Sequence, residues 1–141
     1  MISRLTDKYL FDASSLVYVL KLKHVPLIHD NYTQQLTIYE VLNAIWKEAY
    51  LTKNLTYEEA VNFIEVFKSA LKYLEILDVH PYEADILIKA LELGITTYDA
   101  SYIVLAQKNN LTLVTEDRKL REKAEKLVKV VDLGELIQKC K

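Results

Sequence analysis

Two aspartates in the stretch Thr96–Leu120 constrain the fold more than any other feature of the sequence. Asp99 opens an apolar helical pattern, and Asp117 follows a short β-type run at residues 111–115. One acid therefore marks the start of a helix, and the other lies just past the end of a strand. In an open α/β fold, both places face the crevice beyond the carboxyl ends of the strands. The stretch predicts such a fold, with both acids at one crevice.

The composition fits one globular domain over residues 1–141. No apolar run approaches the roughly 20 residues that a membrane-spanning helix needs. The polar N-terminal residues do not resemble a signal peptide, so we expect a cytoplasmic protein. Cys140 is the single cysteine, which excludes an internal disulfide and a cysteine metal site. The net charge of −2 argues against a broad nucleic-acid-binding surface, although it leaves room for a local basic rim.

Short β-type runs alternate with helical patterns along the chain. Strands are predicted at residues 9–11, 74–79, 111–115 and 127–131. Helices are predicted from Leu16 after the capping residues Ser14 and Ser15, over 36–51, 56–73 and 81–94, from Asp99, and over 118–126 and 132–137. Residues 21–35 are polar and are predicted to form a loop, with at most a short helical turn. The alternation predicts a parallel sheet with helices on both faces.

Two further acids occupy comparable positions. Asp12 follows the first predicted strand, and Glu40 flanks the apolar stripe of the first long helix. Asp99 lies three residues before Tyr102 and therefore shares the buried side of its helix. A bare carboxylate is costly to bury, so Asp99 needs a cation or several hydrogen bonds. A turn or capping role for Asp12 and a solvated position for Glu40 are the alternatives.

The chemistry of these acids favours a hard metal ion. The candidate ligands are Asp12, Glu40, Asp99 and Asp117. Carboxylates that share one crevice repel each other, and oxygen ligands suit Mg²⁺ or Mn²⁺ rather than zinc or copper. Such an ion neutralises a phosphodiester and activates water, which makes a phosphodiester the natural substrate. Ser14 and Thr115 stand beside two of the acids, where they either contact a metal-bound water or phosphate or cap a helix.

Four segments together resemble a known family. They are Phe-Asp-Ala-Ser-Ser (11–15), Tyr-Glu-Val-Leu-Asn (39–43), Tyr-Asp-Ala-Ser-Tyr-Ile-Val-Leu-Ala (98–106) and Leu-Val-Thr-Glu-Asp-Arg-Lys-Leu (113–120). In this order and spacing, they resemble the PIN domain, and in particular the VapC-type toxin ribonucleases of bacterial and archaeal toxin–antitoxin pairs. No single segment is specific, but the ordered set of four is.

The resemblance implies a three-layer α/β/α fold with a central parallel sheet. It also implies an endoribonuclease that depends on Mg²⁺ or Mn²⁺, cleaves RNA, forms a homodimer and is inhibited by a VapB-type antitoxin. The acidic positions of the family match Asp12, Glu40, Asp99 and Asp117, and its small hydroxyl positions match Ser14 and Thr115. Glu116 is an alternative to Asp117, which is preferred because it ends the Thr-x-Asp pattern.

RNA contacts are assigned to basic and aromatic side chains near the acids. Lys21, Lys47 and Arg118 are the candidates for a basic rim. Tyr18 and Tyr98 are the tyrosines nearest the acids and are candidates for base stacking, with core packing as the alternative.

Three other functions stay open at this point. A housekeeping PIN nuclease in RNA processing or decay would have the same site but no antitoxin gene beside it. A PIN-like scaffold that binds without cleaving fits less well, because all four acids are present. An aspartyl phosphatase usually needs a second aspartate two residues after the first, where this chain has Ser14.

Overall fold

A computed structural model describes residues 7–140, in which five β-strands alternate with seven α-helices. The strands are β1 (Tyr9–Phe11), β2 (Asn31–Gln34), β3 (Leu74–Leu77), β4 (Thr112–Val114) and β5 (Val130–Val131). The helices are α1 (Ala13–Lys21), α2 (Gln35–Trp46), α3 (Tyr57–Ala70), α4 (Glu83–Leu93), α5 (Thr97–Asn109), α6 (Arg118–Ala124) and α7 (Leu133–Lys139). Shorter turns are the 3-10 helices Val25–Ile28 and Leu71–Tyr73 and the π-helical turn Lys47–Leu51. Within this described part, no helix is long and apolar enough to span a membrane.

The strands form one parallel sheet in the order β3-β2-β1-β4-β5. From β1 the chain moves outward through β2 to β3, and α5 then brings it back to the other side of β1. The direction of strand addition therefore reverses between β1 and β4. In open α/β folds, the crevice at such a reversal is the usual ligand site. Asp12 and Asp117 follow the two strands that flank this crevice.

Helices cover both faces of the sheet. Leu10 and Phe11 of β1 point to opposite faces, as successive strand residues do, and they belong to different hydrophobic clusters. The Phe11 cluster includes buried residues of α1, α2, α3 and α7. The Leu10 cluster includes buried residues of α5 and α6, while α4 packs on α5 through Ile86 and Val104. The predicted three-layer α/β/α arrangement is confirmed.

Local signals at two helix ends act as the sequence predicts. Thr56 and Glu59 form a reciprocal capping box at the start of α3, which satisfies backbone N–H groups that have no partner within the helix. Gly94 ends α4 with a positive φ of 66°, a conformation that glycine adopts without a steric cost.

The strand β2 is the main element that the sequence did not predict. Asn-Tyr-Thr-Gln lacks an apolar run, so the sequence predicts a loop over residues 21–35 instead of a strand. Asn31, Thr33 and Gln34 are nevertheless buried, and the side chains of Asn31 and Thr33 form hydrogen bonds to β1. Thr33 donates to the Phe11 carbonyl at 2.8 Å, and Asn31 accepts from the Tyr9 N–H at 2.9 Å. A strand held by side-chain hydrogen bonds carries no hydrophobic pattern.

Several element boundaries also differ from the prediction, most clearly those of the last strand and the first helix. The last strand has only two paired residues, Val130 and Val131, rather than the five of residues 127–131. Helix α1 begins at Ala13 with Asp12 as its cap, so Ser14 and Ser15 lie inside the helix and do not cap it.

Candidate active site at the carboxyl edge of the sheet

Asp12 is the most buried of the predicted acids, with 5% of its surface exposed. Its Oδ1 accepts hydrogen bonds from the Ser15 N–H at 2.9 Å and from Ser14 Oγ at 2.8 Å. Its Oδ2 accepts from Thr115 Oγ1. Burial raises the pKa of Asp12, and the bonds from Thr115, Ser15 and Ser14 oppose that rise. Asp12 therefore caps α1, which is the alternative role considered for it in the sequence. It also lies at the crevice between β1 and β4.

Ser14 and Thr115 fix Asp12 rather than cap a helix. Each hydroxyl donates to one Asp12 oxygen and accepts a backbone N–H from the segment after β4. Ser14 Oγ accepts from the Glu116 N–H at 3.0 Å, and Thr115 Oγ1 accepts from the Asp117 N–H at 3.0 Å. The two hydroxyls thus bridge the end of β1 to the end of β4, which holds Asp12 and Asp117 in a fixed relation.

Glu40 reaches the crevice from α2 and is held there by Tyr102 of α5. The Tyr102 hydroxyl donates to Glu40 Oε1 at 2.5 Å and pairs with Thr37 Oγ1 at 2.7 Å. Burial raises the pKa of Glu40, the bond from Tyr102 opposes this, and the charges of Asp12 and Asp99 raise it further. Glu40 therefore points towards the other acids and is not a solvated flank residue.

Asp99 lies in the first turn of α5, whose N-cap is Thr96. Burial raises the pKa of Asp99, and the negative charges of Asp117 and Asp12 add to that rise. Asp117 caps α6 and accepts from the N–H groups of Lys119 and Leu120 at 2.9 and 3.2 Å. All four predicted acids are therefore within electrostatic reach of at least one other.

We call these four residues, Asp12, Glu40, Asp99 and Asp117, the acidic cleft. None of the salt bridges formed by residues 7–140 involves them. Their repulsion is therefore opposed by hydrogen bonds and by the helix N-termini at which Asp12, Asp99 and Asp117 lie. In the same residues, no three acidic, histidine or cysteine side chains converge into a ready-made metal centre. The donor set, which is carboxylate oxygen throughout, fits a hard divalent cation by its chemistry.

Glu116 has a different partner. Its Oε2 accepts from the Leu133 N–H at 2.7 Å, at the start of α7. An anion at a helix N-terminus is stabilised there by the exposed N–H groups. The side chain thus ties the segment after β4 to α7, and this favours Asp117 over Glu116 as the acid of the cleft.

The three basic candidates lie in different settings. Lys21 ends α1, about 13 Å along that helix from Asp12, and pairs with Glu48 at 2.9 Å. Lys47 is exposed at the start of the π-helical turn, roughly 10 Å along its helix from Glu40. Arg118 is exposed and follows Asp117 directly, at the first position of α6. Arg118 is therefore the candidate that lies beside the cleft.

Tyr98 and Tyr18 are both exposed, at 62% and 42% of their surfaces. The alternative role is packing in the core. Tyr98 does not have this role, because most of its surface is exposed. This side chain precedes Asp99 on α5 and is open to a ligand.

Tyr102 and Thr37 are the residues beside the candidate site that the sequence does not reveal: Tyr102 bonds to Glu40, and Thr37 bonds to Tyr102. The sequence predicts Tyr102 on the apolar side of α5, and it is 2% exposed. A buried tyrosine hydroxyl usually needs a hydrogen-bond partner, and this was the available signal. Its partner could not be named, because Glu40 and Tyr102 lie 62 residues apart in the chain.

Comparisons with known proteins point to one family. A PIN domain profile matches residues 9–126. Exonuclease VapC9 of Pyrobaculum aerophilum is 37% identical over 134 residues, which cover 89% of this chain and 92% of that protein. Ribonuclease VapC3 of the same organism is 39% identical over 100 residues, which cover 69% of this chain and 73% of that protein.

Solved structures share the fold. The crystal structure of PAE2754 from Pyrobaculum aerophilum superposes with a TM-score of 0.79 at 32% identity, covering 95% of this chain and 97% of that one. DNA-bound VapBC from Salmonella typhimurium gives a TM-score of 0.62 at 19% identity, over 89% and 98% of the two chains. With its order of motifs, its parallel sheet and a profile match over most of its length, the chain belongs to the PIN domain family.

Proposed function

We propose that this protein is a metal-dependent ribonuclease that hydrolyses RNA phosphodiester bonds as the toxin of a VapBC-type toxin–antitoxin pair. The observation that carries the proposal is the acidic cleft. Besides burial, the charges of neighbouring acids raise the pKa of Glu40 and of Asp99, and none of the four acids forms a salt bridge among residues 7–140. The names of the two relatives, a ribonuclease and an exonuclease, support nuclease chemistry.

The acids Asp12, Glu40, Asp99 and Asp117 would hold Mg²⁺ or Mn²⁺. When bound, the ion would neutralise the substrate phosphate and lower the pKa of water. The chain's own residues prepare this site. Ser14 and Thr115 hold Asp12 at the end of β1, and Tyr102 holds Glu40 in place from the opposite helix.

RNA is the proposed substrate, and Arg118 is the proposed first phosphate contact beside the cleft. A guanidinium pairs well with a phosphate through two parallel N–H bonds. Lys47 and Lys21 extend the proposed basic rim along α2 and α1, and Lys21 must leave Glu48 to take part.

A VapB-type antitoxin and a homodimer are the proposed assemblies. VapBC of Salmonella typhimurium and VapBC2 of Rickettsia felis share this fold, with TM-scores of 0.62 and 0.58. Light scattering on the purified chain, alone and with the product of an adjacent gene, tests both. A protein that stays monomeric and does not bind this product would favour the housekeeping nuclease instead.

The central experiment incubates the protein with a pool of RNAs in Mg²⁺, in Mn²⁺ and in EDTA, beside Asp99→Asn. We expect cleavage with either metal, none in EDTA and none with the variant. Cleavage that persists both in EDTA and in Asp99→Asn would refute the proposal. Binding of RNA without cleavage under every condition would favour the scaffold function.

Exonuclease action is the second candidate, favoured by the name of the relative VapC9. A covalently closed RNA circle distinguishes it from internal cleavage, because an exonuclease needs a free end. We expect the circle to be opened at a rate similar to that of its linear form. A circle that stays intact while the linear RNA is shortened stepwise would establish the exonuclease.

A further inference from the structure

A groove of about 370 Å³ lies beside the acidic cleft, between α2, α4 and the start of α5. Its walls are apolar and come from Leu36, Ile86 and Leu87. Gln34 and Ser101 also line it, and because they are 0% and 4% exposed, they form its floor. The groove is therefore an apolar slot with a polar base.

The floor contains a hydrogen-bond acceptor that has no partner. Among the residues that the structure describes, Gln34 Oε1 is the one buried side-chain oxygen or nitrogen without a hydrogen bond. The orientation of the amide is fixed by a relay. Ser101 Oγ donates to the Tyr98 carbonyl at 2.6 Å, so it must accept from Gln34 Nε2 at 2.8 Å. A buried acceptor left unpaired is destabilising, and a ligand with an N–H group would satisfy it.

The groove continues the cleft along one edge of the sheet. Gln34 ends β2, which is the neighbour of β1, and Asp12 follows β1. Adjacent strands lie about 4.8 Å apart, so the two sites are one to two strand spacings from each other. Tyr98, which lines the groove, directly precedes Asp99. A strand of RNA with a phosphodiester at the cleft can therefore place a neighbouring base in the groove.

We propose that this groove binds the base next to the scissile phosphodiester and favours bases that carry an exocyclic amine. The proposal rests on the proposed ribonuclease function and adds a determinant of substrate choice. Tyr98 supplies a stacking face, and Gln34 Oε1 receives an N–H of the base once the base has displaced the side chains that bury it, since Gln34 is 0% exposed. Adenine, cytosine and guanine each present an NH₂ group, and uracil does not.

The rim of the groove supports the same selectivity. Asp78 and Glu83 line it, and their carboxylates repel phosphate but accept hydrogen bonds from amines, as acidic side chains do from cytosine N4. Uracil has one N–H between two carbonyl oxygens, which these acceptors would repel. The phosphate thus stays at the metal site and the base enters the groove.

Binding without metal tests the proposal independently of cleavage. Fluorescence anisotropy in EDTA would compare short labelled oligo-A, oligo-C and oligo-U on the full chain, on Tyr98→Ala and on Gln34→Met. Tyr57→Ala is the matched control, because Tyr57 is 83% exposed and lies on α3, outside the groove. Circular dichroism verifies that each variant is folded.

We expect the wild type to bind oligo-A and oligo-C more tightly than oligo-U. Tyr98→Ala should weaken binding of oligo-A about tenfold, which is the usual loss of one stacked base, whereas Tyr98→Phe and Tyr57→Ala should not. Gln34→Met should reduce the preference over oligo-U by roughly five- to tenfold.

Equal affinity for the three oligonucleotides, or unchanged binding by Tyr98→Ala, would overturn the proposal. Either result would favour a peptide as the ligand of the groove. If Gln34→Met fails to fold, the difference in affinity between Tyr98→Ala and Tyr98→Phe tests the proposal. Parallel cleavage assays in Mn²⁺ test the nuclease function separately from the base preference of the groove. Base-selective binding without cleavage refutes the nuclease function alone, and cleavage without base selectivity refutes the groove alone.

Discussion

Two groups of acids lie near the end of β4, and they differ in what compensates their charge. In the acidic cleft, none of the salt bridges among residues 7–140 involves the acids, and neutral hydrogen-bond donors and helix N-termini provide the compensation. In the second group, which we call the Arg121 cluster, Glu125, Asp132 and Glu135 surround one guanidinium. Its nitrogens lie 3.5, 3.8 and 2.5 Å from these three carboxylates.

The difference separates a structural arrangement from a functional one. Arg121 joins α6 to the start of α7, and Glu135 also closes the capping box of α7 with Asp132. The cluster therefore stabilises the fold and needs no ligand. The acidic cleft keeps a repulsion that lowers stability, which is typical of sites whose charge is balanced by a substrate or an ion. The presence of a cationic side chain, rather than the number of acids, distinguishes the two.

The largest expected difference between the two groups is in activity. Glu40→Gln and Glu135→Gln each remove one charge and keep the shape of the side chain. Because loss of an outer-shell partner alone costs roughly 10–100-fold, we expect Glu40→Gln to lower kcat by at least about a hundredfold. Glu135→Gln should retain wild-type activity. Initial rates of RNA cleavage in Mn²⁺ measure both, and comparable losses in the two variants would remove the distinction.

Metal binding should also be confined to the cleft. A divalent cation at a hundred times its Kd stabilises a protein by about 2.7 kcal/mol, which corresponds to roughly 5–10 °C in Tm for a domain of this size. We expect such a rise for the wild type and for Glu135→Gln in Mn²⁺ or Mg²⁺, and little for Asp99→Asn. Differential scanning fluorimetry with and without EDTA is the measurement. An equal rise in Asp99→Asn would place the ion elsewhere.

Much of the cleft was readable from the sequence because its acids sit at element ends. Asp12 and Asp117 each follow an apolar run, and Asp99 opens a helix, so local patterns located all three. Strand alternation then placed them on one edge. Glu40 is harder to predict, since a glutamate on a helix flank is common; its place beside an apolar stripe made it a candidate, and the resemblance to the family supported it.

The parts that could not be predicted depend on contacts between distant residues. The Tyr102–Glu40 bond joins α5 to α2, and neither helix shows it alone. Strand β2 is polar and is held by Thr33 and Asn31 through bonds to β1, so no hydrophobic period marks it. The relay from Gln34 to Ser101 likewise spans 67 residues. Sequence patterns indicate local structure and burial. They do not indicate which distant residues form hydrogen bonds with each other.

Tyr102 should act as a positioning residue for Glu40. Tyr102→Phe removes the hydroxyl and keeps the ring in the core, so the fold should be retained, while kcat falls roughly tenfold as for other outer-shell partners. The pH profile gives a more specific readout. The Tyr102 hydrogen bond lowers the pKa of Glu40, so its loss should move the acid limb of activity to higher pH. A lower rate with an unmoved acid limb would indicate a purely structural role.

The smallest expected effects are on stability without metal, and they should have opposite signs in the two groups. The hydrogen bond from Arg121 lowers the pKa of Glu135 to about 2, from an ordinary value of 4.5. Its contribution is therefore complete above about pH 4.5 and is lost as the pH falls towards 2. Glu135→Gln should reduce the free energy of unfolding near neutral pH by at most about 1 kcal/mol, because the pair is half exposed.

The ionisation of Glu40 has the opposite effect on the free energy of unfolding. Burial and the neighbouring acids raise its pKa above the ordinary 4.5, so the folded state binds the proton more tightly than the unfolded chain. Ionised Glu40 thus destabilises the fold near neutral pH, and this effect disappears as the pH falls below 4.5. Glu40→Gln should be more stable than the wild type at neutral pH, by on the order of 1 kcal/mol, and equal to it in acid. Urea unfolding in EDTA across this pH range measures both variants. If Glu40→Gln is the less stable protein at neutral pH, the charge in the cleft is compensated, and the contrast with the Arg121 cluster fails.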